Sequence, residues 1–239
     1  MQLVEQSFES NIFGRLVLQL SSTAEIKLAD VRSICDRGFY SGVGLICCRV
    51  ASTEDQTVDS LLRVGFRHVE TLVTLEFFGH AEEFYVPEGI FVADKNDQLA
   101  ICQIAEKAFS FDRFHADPEI EDHLADKLKS NWTANALRGR ADSVFVAKNG
   151  DKVVGFCSTI RRDVGIVIDL IAIDPDCFGL GYGRKLVSSV IASYPKASSI
   201  QVGTQKNNVA SLMLYKSCGF EKIRTAETYH WSPIAKEDK

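Results

Sequence analysis

The stretch IDLIAIDPDCFGLGYGRKL, residues 168–186, joins an apolar run, an Asp-Pro spacer and three alternating glycines to two cations. The residues that follow keep apolar side chains on one helical face: Leu186, Val187, Val190, Ile191 and Tyr194. This spacing predicts a buried strand, a glycine loop and a helix that begins inside the loop. Glycines let several backbone N–H groups point the same way, and a helix start adds free N–H groups and a positive dipole end.

Two familiar phosphate-binding loops are excluded by individual residues. A P-loop needs Ser or Thr after its lysine, but Leu186 follows Lys185. A dinucleotide-binding loop would need its third glycine where Arg184 stands, and the DPDCF spacer separates the loop from its strand. What remains is a backbone site for a pyrophosphate that needs no metal, with Arg184 and Lys185 adding charge. The alternative, a loop that only turns a corner, stays open on these residues alone.

Composition limits the classes of protein to consider. The chain has 239 residues, 46% hydrophobic content and a net charge of −5, so it can form one large domain or two small ones and offers no broad basic surface. We expect neither nucleic acid nor a membrane among its partners. Its seven cysteines have neither zinc-site nor CxxC spacing, and the N-terminus lacks the pattern of a signal peptide. These features predict a cytoplasmic protein without a metal.

The element pattern divides the chain into two predicted domains, residues 1–87 and 88–239. The first is a smaller α/β domain with the order strand, helix, strand, helix, strand. The second opens with IFVAD and two helices, of which the second is predicted to begin at Asp117-Pro118. Asn149-Gly150 lies between two apolar runs and predicts a β-hairpin.

The two predicted domains share one internal similarity. SLLRVGFRHVETLVTLEF resembles SLMLYKSCGFEKIRTAETYHW, with a helix, Gly-Phe and a strand in each, and Leu61 corresponds to Tyr215. One interpretation is that the first domain is a degenerate copy of the end of the second domain. It would then be non-catalytic and would support the acceptor pocket or a homodimer. The other is that Gly-Phe is a common helix stop.

The glycine-loop stretch and TQKNNVASLMLYKSCGFEKI together resemble the GNAT superfamily of N-acetyltransferases, over about residues 89–231. The resemblance implies a mixed, mostly antiparallel sheet and acetyl-CoA as the co-substrate. It also implies that the strand before the loop pairs with the pantetheine arm and that the loop binds the pyrophosphate. Phe178 departs from the family, which usually has Gln or Arg there. The residues implied in binding acetyl-CoA are Ile171, Ala172, Ile173, Phe178, Gly179, Leu180, Gly181, Tyr182, Gly183, Arg184, Asn208 and Tyr215.

The resemblance also implies a catalytic residue. Asn208 and Tyr215 are seven residues apart, so they lie on nearly the same face of a helix. In the superfamily the matching tyrosine is often the general acid that protonates the CoA thiolate; a core tyrosine is the alternative. The base stays open between Asp169, Glu227, His230 and a chain of waters.

The loop AFSFDRFHADPEI, between the first two helices of the second domain, is where the superfamily shapes its acceptor pocket. Phe111, Phe114 and His115 offer stacking faces, and Arg113 offers a partner for phosphate. The alternative is that these aromatic residues only fill the fold.

A closer similarity spans both predicted domains. Five segments resemble parts of the bacterial TDP-fucosamine N-acetyltransferases: FESNIFG, GFRHVETLVTLEF, FSFDRFHADP, SNWTANALRG and VGTQKNNVASLMLYKSCG. This resemblance implies transfer to the amine of a nucleotide-linked 4-amino-4,6-dideoxyhexose in polysaccharide biosynthesis. Two alternatives are acetylation of a peptide N-terminus or small amine, and a non-catalytic module that binds acyl-CoA.

Overall fold

The computed structural model of the protein describes residues 1–163 and 165–233 and has a mixed α/β fold. The helices are α1 Ser7–Phe13, α2 Leu28–Tyr40, α3 Asp55–Arg63, α4 Gln98–Ala108, α5 Asp122–Asn135, α6 Tyr182–Ser193 and α7 Val209–Ser217. The strands are β1 Gln2–Glu5, β2 Leu16–Ser21, β3 Val43–Ala51, β4 Arg67–Phe77, β5 Ile90–Val92, β6 Ser143–Asn149, β7 Lys152–Arg162, β8 Gly165–Ile173, β9 Ile200–Gln205 and β10 Phe220–Trp231. In the described part of the chain, no helix is long and apolar enough to cross a membrane.

The chain forms two compact units whose limits differ from the predicted boundary at residue 87. Unit 1 holds Met1–Leu72, Ala116–Ile120 and the residues from Thr225 on, and unit 2 holds Val73–His115 and Glu121–Arg224. The physical reason is strand pairing, because the second half of β10, residues 226–231, pairs with β3. The predicted linker around residues 82–88 lies within unit 2.

In unit 1 the strand order is β1-β2-β3-β10-β4. β2 and β3 are parallel, whereas β10 is antiparallel to β3. One face of these strands carries Ile46, Cys48 and Trp231, which pack with apolar side chains of α2 and α3 such as Ile34 and Leu61. These helices therefore bury one face of the unit's sheet.

In unit 2 the strand order is β10-β4-β9-β8-β7-β6-β5. The strands from β5 to β8 are antiparallel, and β8 pairs with β9 in parallel, so the sheet is mixed and mostly antiparallel, as the sequence predicts. Side chains alternate between two apolar clusters. Phe156 and Ala172 pack with α4, whereas Cys157 and Ile171 face the cluster that contains α6.

Several sequence predictions can be compared with the observed elements. The predicted hairpin joins β6 to β7: Asn149 ends β6 and pairs with Lys152, and Gly150, at φ 59°, and Asp151 make the turn. α6 begins at Tyr182 within the glycine run. The predicted start of the second helix at Asp117 is wrong, because α5 begins at Asp122. The Asp117 carboxylate instead binds Arg67 and His230, which are distant in sequence.

Candidate functional site

The site begins where two neighbouring strands of unit 2 diverge. β8 and β9 pair at Ile166–Ile200, Val167–Gln201 and Ile168–Val202. Beyond these pairs β8 continues to Ile173 and β9 to Gln205. The last residues of β8 still pair with β7 on their other side, up to Ile173 with Gly155. The divergence therefore opens the β9-facing side of β8, where an extended ligand can pair with the backbone.

A cavity of about 570 Å³ lies along this opening. Its walls come from the end of α4 and the loop that follows, from the ends of β8 and β9, from the glycine loop and from α7. The lining residues are Ala108, Phe109, Ser110, Phe111, Asp112, Ile168, Asp169, Leu170, Ile171, Ala172, Ile173, Cys177, Phe178, Gly179, Gly181, Tyr182, Gly183, Arg184, Val202, Gly203, Thr204, Gln205, Asn208, Ala210, Ser211, Leu214 and Tyr215.

The glycine loop forms one end of the cavity. Gly179 and Gly181 have φ angles of 76° and 83°, in the left-handed region that favours glycine. Apart from the adjoining residues of the loop and helix, no atom of the described residues lies within 4 Å of a Cβ placed on either glycine, so the space above the loop is open. Gly181 is the N-cap of α6, and the first helical hydrogen bond joins Lys185 N–H to the Gly181 carbonyl. The preceding amides of the first turn are therefore available to an anion.

The two cations of the loop have different surroundings. Arg184 lines the cavity, and its Nη1 donates to Ser217 Oγ at 3.1 Å. The ammonium of Lys185 instead donates to the Glu88 carbonyl and lies 5.7 Å from the centre of the Tyr182 ring. Phe178 and Leu180 are exposed, and of these two Phe178 lines the cavity. These positions fit a pyrophosphate held by backbone N–H groups with Arg184 beside it.

α7 brings Asn208 and Tyr215 to the cavity. The Asn208 side chain caps the helix by accepting from Ser211 N–H at 3.1 Å. Tyr215 is 2% exposed and packs against Phe220 with a ring separation of 5.8 Å. Burial raises the pKa of Tyr215, and the nearby Cys157 and Cys218 thiols add to the effect. The phenol is therefore protonated at neutral pH and is a hydrogen-bond donor.

The loop after α4, residues 109–115, will be called the α4 loop. Of the four predicted acceptor residues, Phe111 lines the cavity and is 46% exposed. Phe114 is buried against Trp132, with ring centres 6.2 Å apart, and the Arg113 guanidinium lies 4.6 Å from the Phe114 ring centre. In the described part of the chain, Arg113, Phe114 and His115 are not among the residues that line the cavity. The structure thus places these three residues in the support of the loop.

Asp112, which the sequence did not single out, fixes the α4 loop from within. Its carboxylate accepts from Phe114 N–H at 3.0 Å and from His115 Nδ1 at 2.5 Å, and it lies 3.5 Å from Lys129 Nζ. Burial would raise the pKa of Asp112, but Lys129 and His115 outweigh burial and lower it. His115 also contacts Asp126, 3.1 Å away through Nε2. In the sequence, the spacing of Asp112 and His115, which are three residues apart, is the feature that could have indicated their contact.

The three candidate bases also separate in the structure. Asp169 lines the cavity and pairs with Arg140, with 2.5 Å between Oδ2 and Nη1. Glu227 and His230 belong to unit 1. Glu227 accepts hydrogen bonds from Ser52 and Thr71, and His230 contacts Asp117. Asp169 is therefore the candidate that the fold brings to the cavity. Among the residues that the structure describes, no group of His, Cys, Asp or Glu side chains is arranged to hold a metal ion.

Comparison with known proteins places this geometry in context. Residues 99–220 match the acetyltransferase (GNAT) family. The chain is 32% identical over 142 residues to the spore coat polysaccharide biosynthesis protein SpsD of Bacillus subtilis, an alignment that covers 59% of this chain and 49% of SpsD. It is 26% identical over 228 residues to the dTDP-fucosamine acetyltransferase of Escherichia coli O6:H1, covering 92% and 93% of the two chains.

Solved structures agree on the fold. The crystal structure of a GCN5-related N-acetyltransferase from Sphaerobacter thermophilus superposes with a TM-score of 0.63 at 11% identity. The match covers 97% of this chain and 75% of the other.

Proposed function

The chain belongs to the acetyltransferase (GNAT) family, and from this premise we propose that it transfers an acetyl group from acetyl-CoA to the amine of an amino sugar. The acceptor in this proposal is a TDP-linked 4-amino-4,6-dideoxyhexose used in polysaccharide biosynthesis. The observation that carries the transfer is the cavity between β8 and β9, which begins at the glycine loop and reaches Tyr215. Similarity to a dTDP-fucosamine acetyltransferase over most of the length of both proteins supports the choice of acceptor.

In this proposal acetyl-CoA lies along β8. The loop amides and those at the start of α6 bind its pyrophosphate, and Arg184 adds a positive charge. Phe178 cannot add another, so backbone donors carry more of the binding. The backbone of residues 171–173, open on the β9 side, pairs with the pantetheine arm and supplies an N–H to the thioester oxygen.

The reaction requires a neutral amine, because a protonated nitrogen has no lone pair with which to attack the thioester. Asp169 is the proposed acceptor of the amine proton, directly or through water, since its carboxylate lines the cavity. Asp169 pairs with Arg140, but its side chain is 21% exposed. Asp112 is less suited, because its side chain is 10% exposed and Lys129, His115 and a backbone amide contact its carboxylate. As the C–N bond forms and the C–S bond breaks, Tyr215 donates its hydroxyl proton toward the departing thiolate.

The acceptor binds at the other end of the cavity, against the α4 loop. Phe111 is the proposed direct contact, because its ring is half exposed and lines the cavity. Arg113, Phe114 and His115 act by holding the loop, through the Phe114–Trp132 contact and the His115 hydrogen bonds. A sugar ring presents an apolar face to an aromatic ring and hydroxyls to the polar cavity residues.

A second candidate function is acetylation of a peptide N-terminus or a small amine. Charge favours it, because the charged residues that line the cavity are Asp112, Asp169 and Arg184. Two carboxylates and one cation suit a cationic amine without phosphates, whereas a nucleotide sugar adds two negative charges. If the acceptor is a nucleotide sugar, its phosphates must bind away from both carboxylates.

The test is a thiol-release assay with acetyl-CoA against TDP- and UDP-amino sugars, free amino sugars and peptide N-termini. Turnover on a TDP-4-amino sugar at least about tenfold above the other acceptors in kcat/KM would support the proposal. Turnover on peptides or simple amines alone would support the second candidate. Tight acetyl-CoA binding by calorimetry with no turnover on any acceptor would contradict both and favour the non-catalytic alternative.

A further inference from the structure

Asp169 lies at an irregularity in the pairing of β8 with β7. Ile168 pairs with Thr159 and Leu170 with Ser158, so Asp169 is an extra residue on β8, a β-bulge. In a regular strand the side chains of Ile168 and Leu170 would share a face. Here Ile168 packs in the cluster that contains α6, and Leu170 packs in the cluster that contains α4. The bulge thus changes the direction of the side chains at Asp169, which lines the cavity.

Arg140 meets this carboxylate from another part of unit 2. It is the last residue of the turn Ala136–Arg140, which follows α5. Its Nη1 donates to Asp169 Oδ2 at 2.5 Å, and its Nη2 donates to Oδ1 at 3.3 Å. A guanidinium has five N–H donors in a planar fork, and this side chain is 39% exposed. Part of the guanidinium is therefore accessible to a ligand from solvent.

An acceptor that carries phosphates needs a cation near the cavity. In the proposed function Arg184 lies beside the pyrophosphate of acetyl-CoA, so it is already engaged when the acceptor binds. Arg113, the phosphate partner expected from the sequence, lies over the Phe114 ring and is not among the described residues that line the cavity. Arg140 bonds Asp169, a lining residue, and therefore places a guanidinium at the edge of the cavity.

The covalent structure of the acceptor relates its amine to its phosphates. In a nucleotide-linked 4-amino sugar, the amine on C4 and the diphosphate on C1 lie at opposite ends of the same pyranose ring. Asp169 is the proposed acceptor of the amine proton, so the diphosphate lies across the sugar ring from its carboxylate. An arginine side chain has several rotatable bonds, and rotation about them can carry the guanidinium of Arg140 from the carboxylate to the diphosphate.

We propose that Arg140 binds the diphosphate of a nucleotide-sugar acceptor and that its guanidinium moves from Asp169 to the phosphates as the acceptor binds. Phosphate oxygens suit the planar fork as well as a carboxylate does, and a diphosphate offers two negative charges where Asp169 offers one. This inference rests on the proposed function, in which Asp169 receives the amine proton.

The exchange of partners joins recognition of the nucleotide to the chemistry of the amine. While Arg140 donates to both carboxylate oxygens, its N–H groups compete with the amine for Asp169. A free amino sugar has no phosphate and leaves this ion pair in place. A nucleotide sugar removes the guanidinium and opens the carboxylate to the amine proton. Arg140 therefore favours the nucleotide-linked acceptor both in binding and in the proton transfer.

The experiment compares full-length Arg140→Gln and Arg140→Lys with Arg138→Gln, a matched control. Arg138 is an exposed cation of the same turn, and it is not among the described residues that line the cavity. Calorimetry gives the Kd for TDP with coenzyme A at saturation, so that the glycine loop is already occupied, and the Kd for acetyl-CoA alone. Steady-state kinetics gives kcat/KM for the TDP-4-amino sugar and for the same amino sugar without the nucleotide.

We expect Arg140→Gln to raise the TDP Kd at least about tenfold, as befits the loss of charge-assisted hydrogen bonds. Arg140→Lys, which keeps the charge but not the planar fork, should raise it less. Arg138→Gln should leave it within about twofold of the parent, and all three variants should keep the parent's Kd for acetyl-CoA within about twofold. In Arg140→Gln, kcat/KM should fall for the TDP-4-amino sugar and should not fall for the free amino sugar.

Four results would overturn the inference. They are an unchanged TDP Kd in both Arg140 variants, an equal rise in Arg138→Gln, no TDP binding by the parent, and an equal fall in kcat/KM for the two sugars. The last result would mean that Arg140 only orients Asp169. TDP binding does not depend on turnover. A parent that binds TDP through Arg140 but acetylates no amino sugar would therefore contradict the proposed function and keep the phosphate site.

Discussion

The two units contain the same local structure with different consequences. In unit 1, α3 ends at Arg63 and leads through Gly65, at φ 91°, into β4; in unit 2, α7 ends at Ser217 and leads through Gly219, at φ 87°, into β10. The residue after each glycine is a buried phenylalanine, Phe66 or Phe220. The sequence of helix, left-handed glycine and strand is therefore a local motif that forms with or without a neighbouring ligand site.

The difference lies in what surrounds the corresponding side chains. Leu61 is fully buried in an apolar cluster, whereas Tyr215, nearly as buried, lines the cavity. Unit 2 adds a helix that starts at a left-handed glycine and two strands that diverge beyond the Ile168–Val202 pair. In unit 1, Lys27 stands at the start of α2 in extended conformation. A candidate site thus requires an open strand edge and free backbone amides. A helix that ends at a left-handed glycine, as both α3 and α7 do, does not supply them.

The largest effect on stability should come from truncating Leu61, the buried counterpart of Tyr215 in unit 1. Leu61→Ala should lower the free energy of unfolding by about 3 kcal/mol, because it leaves a cavity in a packed cluster. Chemical denaturation measures this loss, and kcat per folded molecule should not change. A fall in kcat at full occupancy of the folded state would mean that Leu61 takes part in the reaction.

Tyr215→Phe tests the role of the hydroxyl group that lines the cavity in unit 2. The ring still packs against Phe220, but the hydroxyl is lost, so kcat should fall about 100-fold, which corresponds to about 2.7 kcal/mol. Steady-state kinetics should give a KM for acetyl-CoA within about twofold of the parent. An unchanged kcat, with chemistry shown to be rate-limiting by single-turnover measurement, would remove Tyr215 from the proton-donor role.

A matched pair of glycine substitutions separates backbone strain from ligand binding. Gly65→Ala and Gly181→Ala each force alanine into a left-handed conformation, so each should lower stability by about 1 kcal/mol. Only Gly181→Ala places a methyl group in the open space above the loop and should raise acetyl-CoA Kd about tenfold, by about 1.4 kcal/mol. Calorimetric titration of both variants makes the comparison. Equal Kd values would contradict a pyrophosphate at this loop.

Acid titration should give the most gradual effect, because the loss of stability accumulates as the pH falls. Asp112 in unit 2 and Asp117 in unit 1 both have a pKa below the ordinary value, because Lys129 and His115, or His230 and Arg67, outweigh burial. A lowered pKa in the folded state stabilises the fold at neutral pH, and this stability is lost as pH falls below about 4. The loss should be less than about 1.4 kcal/mol per pH unit for each group.

The two tryptophans allow the acid titration to be read unit by unit. Trp132 lies in unit 2 and Trp231 in unit 1, so Trp231→Phe and Trp132→Phe each leave one fluorescent reporter. Adding Asp112→Asn should make the acid loss shallower in the Trp132 signal and leave the Trp231 signal unchanged. An equal change in both signals would show that the units unfold together.

Much of unit 2 can be predicted from the sequence, because its signals are local. The glycine loop, the hairpin at Asn149-Gly150 and the helix with Asn208 at its cap all depend on residues close together in the chain. No sequence pattern indicates β1, because QLVE does not alternate between polar and apolar residues and all four are exposed. None indicates α1, because seven residues are too few for a periodic pattern.

The candidate site was predictable to the same extent. Residues on β8, the glycine loop and α7 can be aligned with a motif, and most of them line the cavity. Phe114 and His115 could not be placed, because their environment depends on Trp132 and Asp126 of another helix. Asp117 shows the same limit more strongly: its partners are 50 and 113 residues away, and no local pattern indicates a contact at that separation.

The division of the chain between the units also has a consequence for how the protein is made. β3 in unit 1 gains its β10 partner only from residues 226–231, and unit 2 begins at Val73, inside β4. Domains generally fold as they leave the ribosome, the N-terminal one first. Here the first unit cannot be completed until synthesis has passed residue 231. Until then one edge of β3 lacks its partner, and an unpaired strand edge is a site of aggregation. Slowing the last stage of translation should therefore lower the soluble yield more than slowing an early stage.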